Sequence, residues 1–168
     1  MKKIIIQGSS NSYGNTNQIA KLIQKETECD LIDLKSYEIG QFDYNFNNSK
    51  DDFLPLIRKI ADYDFIFFLT PIYWYSMSGI MKTFFDRITD CLKIEKEIGR
   101  KLRNKKMIAV SCGSEKMPTE AFFTPFKLSA KYLGIEYLGD LHTWIEKDEP
   151  DEEVILSVQK FVKRLQIQ

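Results

Sequence analysis

The sequence is poor in the residues from which many active sites are built. Its 168 residues include one histidine, His142. A lone histidine does not build a metal site, and no general-base partner stands near it in the chain, so no metal centre is expected. The three cysteines, Cys29, Cys91 and Cys112, stand far apart with no C-x-x-C. That excludes a zinc knuckle and a disulfide framework, and it predicts reduced thiols in the cytoplasm. Charge of one sign is also missing: 24 Lys+Arg balance 24 Asp+Glu. Such a chain has no global field to hold nucleic acid or an anionic membrane. Apolar runs are short, residues 65–69 being typical, whereas a spanning helix needs about 20 apolar residues. The N-terminus turns polar at Gln7, too early for the apolar stretch of a signal peptide. No internal repeat or low-complexity tract is visible. The length predicts a single domain over residues 1–168.

What is present is a regular alternation. Residues 3–7, 28–34, 64–70, 106–111 and 135–144 read as strands. Residues 15–26, 52–60, 77–92 and 151–165 carry apolar side chains at helical spacing. A further helix opens at Thr124-Pro125, with Thr124 as N-cap, and stops at Gly134. Five strands alternating with five helices predict an α/β fold with a parallel sheet. Near-continuous apolar strands such as FIFFL fit a sheet covered on both faces. Ligands of such folds sit at the carboxyl ends of the strands, so the loops after Gln7, Thr70 and Ser111 are where chemistry is expected.

The first of these loops reads GSSNSYGNT over residues 8–16. It is neither a Walker loop nor G-x-G-x-x-G. Hydroxyl side chains, two bracketing glycines and a following helix N-terminus favour a phosphate. No Lys or Arg occurs from Gln7 to Gln18, so a phosphate here is expected to rest on neutral donors and the helix dipole. The same residues would also make an ordinary capping turn. The second loop, TPIYWYSMSG, sets three consecutive aromatics after a buried strand. They suit stacking on a flat heteroaromatic ring, or else they complete a core or a subunit interface.

Together, G-S-S-x-x-x-G-N-T, D-D-F at 51–53, T-P-I-Y-W-Y-S-M-S-G-x-M-K-T-F-F-D-R at 70–87 and Y-L-G-I-E-Y-L-G at 132–139 resemble the flavodoxin-like NAD(P)H-dependent FMN reductases. That group includes the iron–sulfur flavoproteins and multimeric quinone reductases. The resemblance implies a flavodoxin-like three-layer sandwich with a five-stranded parallel sheet of order 2-1-3-4-5. It implies FMN as cofactor, NAD(P)H as co-substrate and a homodimer or homotetramer. Hydride would pass through FMN to a small acceptor such as a quinone, nitroaromatic or flavin, with no catalytic side chain. Carried over residue by residue, it implies that Ser9, Asn11, Gly14, Asn15 and Thr16 hold the FMN phosphate. Pro71, Ile72, Tyr73, Trp74, Tyr75 and Ser76 would line the ring and ribityl chain, and Ser111, Cys112 and Gly113 would flank the other edge through backbone groups. Lys82, Phe85, Asp86 and Arg87 read as structural, the Asp86–Arg87 pair as interface or surface support.

The chain departs from that family in three places. Residues 37–50 hold no cysteine, which excludes an iron–sulfur cluster bound in that stretch. Ser10-Asn11 stands where many relatives have Pro-Arg, removing a cationic contact. Tyr75 stands where members often have Gly, and would either stack on the ring or block it. Two competing functions remain open on the residues: a one-electron carrier of flavodoxin type, and a cofactor-free binding protein that kept the fold. His142 reads as structural, Cys112 as a small packed residue, the basic run 93–106 as a solvated connection, and the acidic run 146–153 as a polar loop opening a helix.

Overall fold

The computed structural model describes residues 1–116 and 120–165. Five parallel strands form the sheet: β1 (Lys3–Gln7), β2 (Asp30–Asp33), β3 (Phe65–Tyr73), β5 (Lys106–Gly113) and β6 (Glu136–Trp144). They run in the order β2-β1-β3-β5-β6, and a two-residue strand, β4 (Ser76–Met77), pairs antiparallel with the end of β3. Six helices complete the described fold: α1 (Asn15–Thr27), α2 (Phe53–Ile60), α3 (Gly79–Lys93), α4 (Lys96–Leu102), α5 (Thr124–Leu133) and α6 (Glu152–Arg164). This is the expected flavodoxin-like order, with β4 as an addition. No helix among the described residues is long and apolar enough to cross a membrane.

Strand periodicity explains the three layers. Successive side chains of a strand point to opposite faces. Ile4, Ile6, Ile66 and Phe68 therefore enter one core with residues of α2, α3 and α5. Ile5, Phe65, Phe67 and Leu69 enter a second core with Ile19, Ile23, Val154, Val158 and Phe161 of α1 and α6.

Several boundaries differ from the sequence expectation. Met77 belongs to β4, and Ser78 caps α3 by accepting the Met81 N–H at 3.1 Å. Thr124 is already helical; Phe123, ending a 3-10 turn over Glu120–Phe123, takes the cap position. Gly134 does stop α5 in the left-handed region, at φ 71°. The acidic run opens α6 as expected, Asp151 accepting the Val154 N–H at 2.9 Å. The basic run 93–106 is not a bare connection, because it contains α4, with Ile98 and Leu102 buried on one face. A Cβ at Gly99 would strike the Cys91 carbonyl oxygen, so α4 packs on the end of α3 only because residue 99 has no side chain.

The largest correction concerns Arg87. It is not surface support: it is 1% exposed, while its neighbour Asp86 pairs with Lys82 on the outside. The Arg87 guanidinium makes a two-pronged bond to Asp51 and an ion pair with Asp90 at 2.9 Å. It also donates to the carbonyls of Gly40 and Asn48, each at 3.0 Å, and stacks over Phe53, 4.9 Å from the ring centroid. Asp51 in turn accepts the N–H groups of Gly40 and Phe53 at 2.8 and 3.0 Å. The irregular segment 37–52 is thus pinned to α3 by one side chain. Burial alone would raise the Asp51 carboxyl, but the bonds from Arg87, Phe53 and Gly40 outweigh it and hold its pKa below 3.8. Removing one partner of such a network strands the others, at about 3–5 kcal/mol. We expect Arg87→Met to lower unfolding free energy by about that amount in a urea titration. A change below about 1 kcal/mol would show that the network contributes no net stability.

Candidate functional site

All parallel strands end at one edge of the sheet, so the segments following β1, β2, β3 and β5 meet there. The loop over residues 8–14 is built mostly from backbone. Gly8 donates to the Leu69 carbonyl at 2.9 Å, and its own carbonyl accepts the Ser78 hydroxyl at 2.6 Å. A Cβ on Gly8 would lie 2.9 Å from the Met81 side chain, so glycine is required for this approach. Ser9 is buried and accepts the Asn11 N–H at 3.2 Å; Asn11 accepts the Tyr13 N–H at 3.0 Å. Gly14 then occupies the cap position of α1, supplies no side-chain cap, and is followed by no acid in the first turn. The Asn17 N–H closes on the Gly14 carbonyl at 3.0 Å, and the positive end of the helix start favours an external anion.

The sequence-predicted residues of this loop divide by what they offer. Asn15 spends its side-chain amide on the Ile145 carbonyl at 3.4 Å. The Thr16 hydroxyl is buried against the Cys112 thiol, so its contribution to the helix start is its backbone. Two polar residues that escaped the sequence reading lie beneath: buried Asn17 donates to Gln7 Oε1 at 3.1 Å, and Gln7 Nε2 has no partner. A third lies beside the loop. Lys35 donates to the Ser10 carbonyl at 2.7 Å, which brings a cation from the segment after β2 to a loop that has none of its own.

The aromatic loop is a two-residue hairpin turn. Ile72 and Tyr73 pair with Met77 and Ser76, leaving Trp74 and Tyr75 at the tip with φ 48° and 62°. Positive φ at both central residues is the twist that joins such strands, and it normally selects Asn-Gly. Bulky side chains there carry strain of the kind found at functional sites. Both are exposed, at 93% and 72%. A glycine at position 75 would adopt this backbone without strain. The turn is tied to the first loop, where the Tyr73 and Ser10 hydroxyls lie 2.7 Å apart.

Facing the turn is the end of β5. Pro71, Ser111 and Cys112 are buried in the paired strand ends, so of residues 111–113 only Gly113 reaches the surface cleft. That cleft, about 260 Å³, is walled by Ile72, Trp74 and Tyr75 on one side and by Gly113, Ser114, Glu115 and His142 on the other. Tyr75 forms part of one wall. Burial pushes the Cys112 thiol up to about 11, with bonds from Thr143 and Thr16 working against it, so the thiol stays protonated at neutral pH and unreactive.

His142 braces this second wall. Its Nε2 lies 2.8 Å from the Glu115 carbonyl, and its Nδ1 lies 2.8 Å from the Ser111 hydroxyl. A carbonyl only accepts, so Nε2 carries a proton; burial disfavours the charged ring, and in the neutral form Nδ1 accepts from the Ser111 hydroxyl. Its ring stacks on Trp144, with centroids 6.1 Å apart. Among the described residues no group of three metal-ligating side chains comes together. A larger groove, about 740 Å³, lies elsewhere, between α3 and α5, lined by Phe85, Ile88, Leu92, Leu128 and Tyr132 among others.

The fold and site can be set beside known proteins. The profile of the family described as NADPH-dependent FMN reductase matches residues 1–125. The chain is 26% identical over 149 residues to YwqN of Bacillus subtilis, named as an NAD(P)H-dependent FMN-containing oxidoreductase, covering 83% of this chain and 82% of that protein. It is 30% identical over 102 residues to an NADPH azoreductase of a Bacillus species, covering 58% and 56%. Among solved structures, the Trp repressor binding protein of Bacillus subtilis superposes with a TM-score of 0.78 at 19% identity, over 96% of this chain and 99% of that one.

Burial holds the His142 pKa below 6.5, the Glu115 carbonyl bond opposing it only in part. Below pH 6.5 the unfolded chain therefore binds the proton first, and stability falls with pH until the folded imidazole also titrates. We expect the urea midpoint of the wild type to drop between pH 7.5 and 5 relative to that of His142→Gln, with the two curves parallel above pH 7. A constant difference across that range would show that the imidazole is not held neutral by the fold.

Proposed function

The chain belongs to the NADPH-dependent FMN reductase family, and from that premise we propose that its carboxyl edge binds FMN and reduces a small planar acceptor at the expense of NAD(P)H. The observation that carries this reading is one juxtaposition. An uncapped helix start with an anion-ready loop adjoins, through the Ser10–Tyr73 contact, a cleft walled by aromatics and a backbone segment. FMN has the same two ends, a phosphate and a flat ring. The residues fit it: the loop carries no acid in α1's first turn, Gly8 and Gly14 leave no room for side chains, and Gln7 Nε2 has an unused donor below.

In this reading Ser9, Asn11, Gly14, Asn15 and Thr16 shape the phosphate loop, chiefly through backbone N–H groups. Ile72, Tyr73, Trp74, Tyr75 and Ser76 line the ring's side, and Gly113 faces them, with Pro71, Ser111 and Cys112 buried behind. Bound FMN supplies hydride chemistry between NAD(P)H and the acceptor. The protein's own share is to hold the ring, exclude water and present backbone dipoles at its edge. His142 takes no proton in the reaction; it fixes Glu115. Trp74 and Tyr75 offer stacking area to an aromatic acceptor, and a quinone, nitroaromatic, azo compound or free flavin shares that chemistry. A relative named as an azoreductase supports the class.

The groove between α3 and α5, with Leu128 and Tyr132 exposed on it, supports a homodimer or homotetramer. The free, buried Cys29, Cys91 and Cys112 suit a reducing compartment, and we assign the reaction to the cytoplasm on that support.

The purified protein is expected to show flavin bands near about 370 and 450 nm that bleach anaerobically with NADPH. Absence of the bands, even after FMN is added, would overturn the reading. The double variant W74N/Y75G replaces the strained tip with favoured turn residues. It should gain about 1 kcal/mol of stability, keep FMN, and lose roughly tenfold in kcat/KM for a quinone. Unchanged kcat/KM would remove the tip from the acceptor site.

A further inference from the structure

We propose that Lys35 is the charge partner of the FMN phosphate, delivered to the loop from the neighbouring strand. The inference rests on the flavin reading above and names a residue for it that lies outside every loop the sequence singled out.

The phosphate loop is uncharged by itself, with no Lys or Arg from Gln7 to Gln18. A doubly charged phosphate held only by neutral donors would keep much of its charge uncompensated. The sheet order solves this. β2 pairs with β1 in parallel register, Gln7 opposite Asp33, so the residues that follow β2 run beside the residues that follow β1. Lys35 is two residues past that pair. Its ammonium lies against the loop, donating to the Ser10 carbonyl at 2.7 Å. One carbonyl uses one of its three donors.

Lys35 makes no salt bridge among the described residues. The acid next to it in the chain, Asp33, accepts the backbone N–H of Lys35 at 3.0 Å, capping the 3-10 turn over Leu34–Ser36. The cation is therefore held in place by backbone geometry and left without a counter-ion. The loop it touches leads into a helix start that has neither a side-chain cap nor an acid in its first turn. Ser10 is gripped from both flanks, its carbonyl by Lys35 and its hydroxyl by Tyr73. The loop is thus preshaped before any ligand arrives, and the charge is already on its rim.

The experiment separates a charge from a brace. Lys35→Gln can still donate a hydrogen bond but carries no charge, Lys35→Met does neither, and Lys35→Arg keeps the charge. Lys35 is exposed, so all three should fold, which circular dichroism checks. Flavin-free full-length protein is titrated with FMN and with riboflavin, which lacks the phosphate, by fluorescence quenching at low and high salt. We expect K35M and K35Q alike to bind FMN about tenfold more weakly. K35R should stay near wild type, and riboflavin affinity should not change. Salt should weaken FMN binding more in the wild type than in K35M. FMN affinity unchanged in K35M, K35Q equal to wild type, or a parallel loss for riboflavin would each overturn the proposal while leaving the flavin reading intact. A wild type that binds neither flavin would overturn that reading itself.

Discussion

The hydroxyl of Ser78 is the knot on which the functional edge depends. It donates to the Gly8 carbonyl at 2.6 Å and accepts the Met81 N–H at 3.1 Å, while the Ser78 N–H donates to the Thr70 hydroxyl at 3.0 Å. One buried residue therefore joins the loop after β1, the end of β3 and the start of α3. In a water-free setting an unmade bond of this kind costs the full desolvation of its partner, about 1–3 kcal/mol. Losing the hydroxyl would leave the Gly8 carbonyl and the Met81 N–H unpaired together. The close fit has a steric side as well: Gly8 approaches Met81 so nearly that no side chain fits. The loop after β1 is thus positioned by the helix that follows the aromatic turn, and neither segment can shift alone.

That rigidity lets strain persist at the turn of Trp74 and Tyr75. Two bulky residues at positive φ would relax into another turn if the flanking strands could slip. They cannot, because Ile72 and Tyr73 are fixed by pairing with Met77 and Ser76, and Ser78 locks the next residue in place. On the far side of α3, Arg87 does the equivalent for segment 37–52 through Asp51, Gly40 and Asn48. Helix α3 therefore carries two irregular segments, one on its N-terminal cap and one on a buried cation in its middle. The network is net acidic, one guanidinium against Asp51 and Asp90, and Asp90 keeps one oxygen without a partner. Its geometry specifies the path of the loop, and removing any one member leaves buried charge without its partner.

Much of this was legible in the sequence because it depends on period and punctuation. KIIIQ reads as a strand, FIFFL fits a strand buried on both faces, and Gly134 reads as a helix stop. What stayed hidden depends on partners distant in the chain. Helix α4 is seven residues long in a basic run, and its two apolar anchors, Ile98 and Leu102, are too few to stand out from a solvated connection. Strand β4 lacked the Asn-Gly signal, since Trp-Tyr fills the turn instead. Arg87 read as surface support because an arginine's burial is decided by acids 36 residues away at Asp51. Lys35 had a usable signal that went unread: once the order 2-1-3 is expected, the residues after the second strand must border the loop after the first.

The two halves of the site differ in how they are made, and that difference bears on what each can control. The side proposed for the phosphate is mostly backbone, fixed by sheet order, by Ser78 and by the close approach of Gly8 to Met81. Its affinity is set by geometry that leaves little to vary except the charge at its rim. The ring side is side chains: two exposed aromatics on a strained tip, opposite a wall whose backbone is held by His142. Side chains on a tip can be exchanged without disturbing the sheet, and strain there is a cost borne for something other than stability. On the proposed function, cofactor retention and acceptor choice would thereby be separated in space. In the proposed reading, change at positions 74 and 75 would alter what stacks in the cleft, while the loop over residues 8–16 would continue to hold the same phosphate.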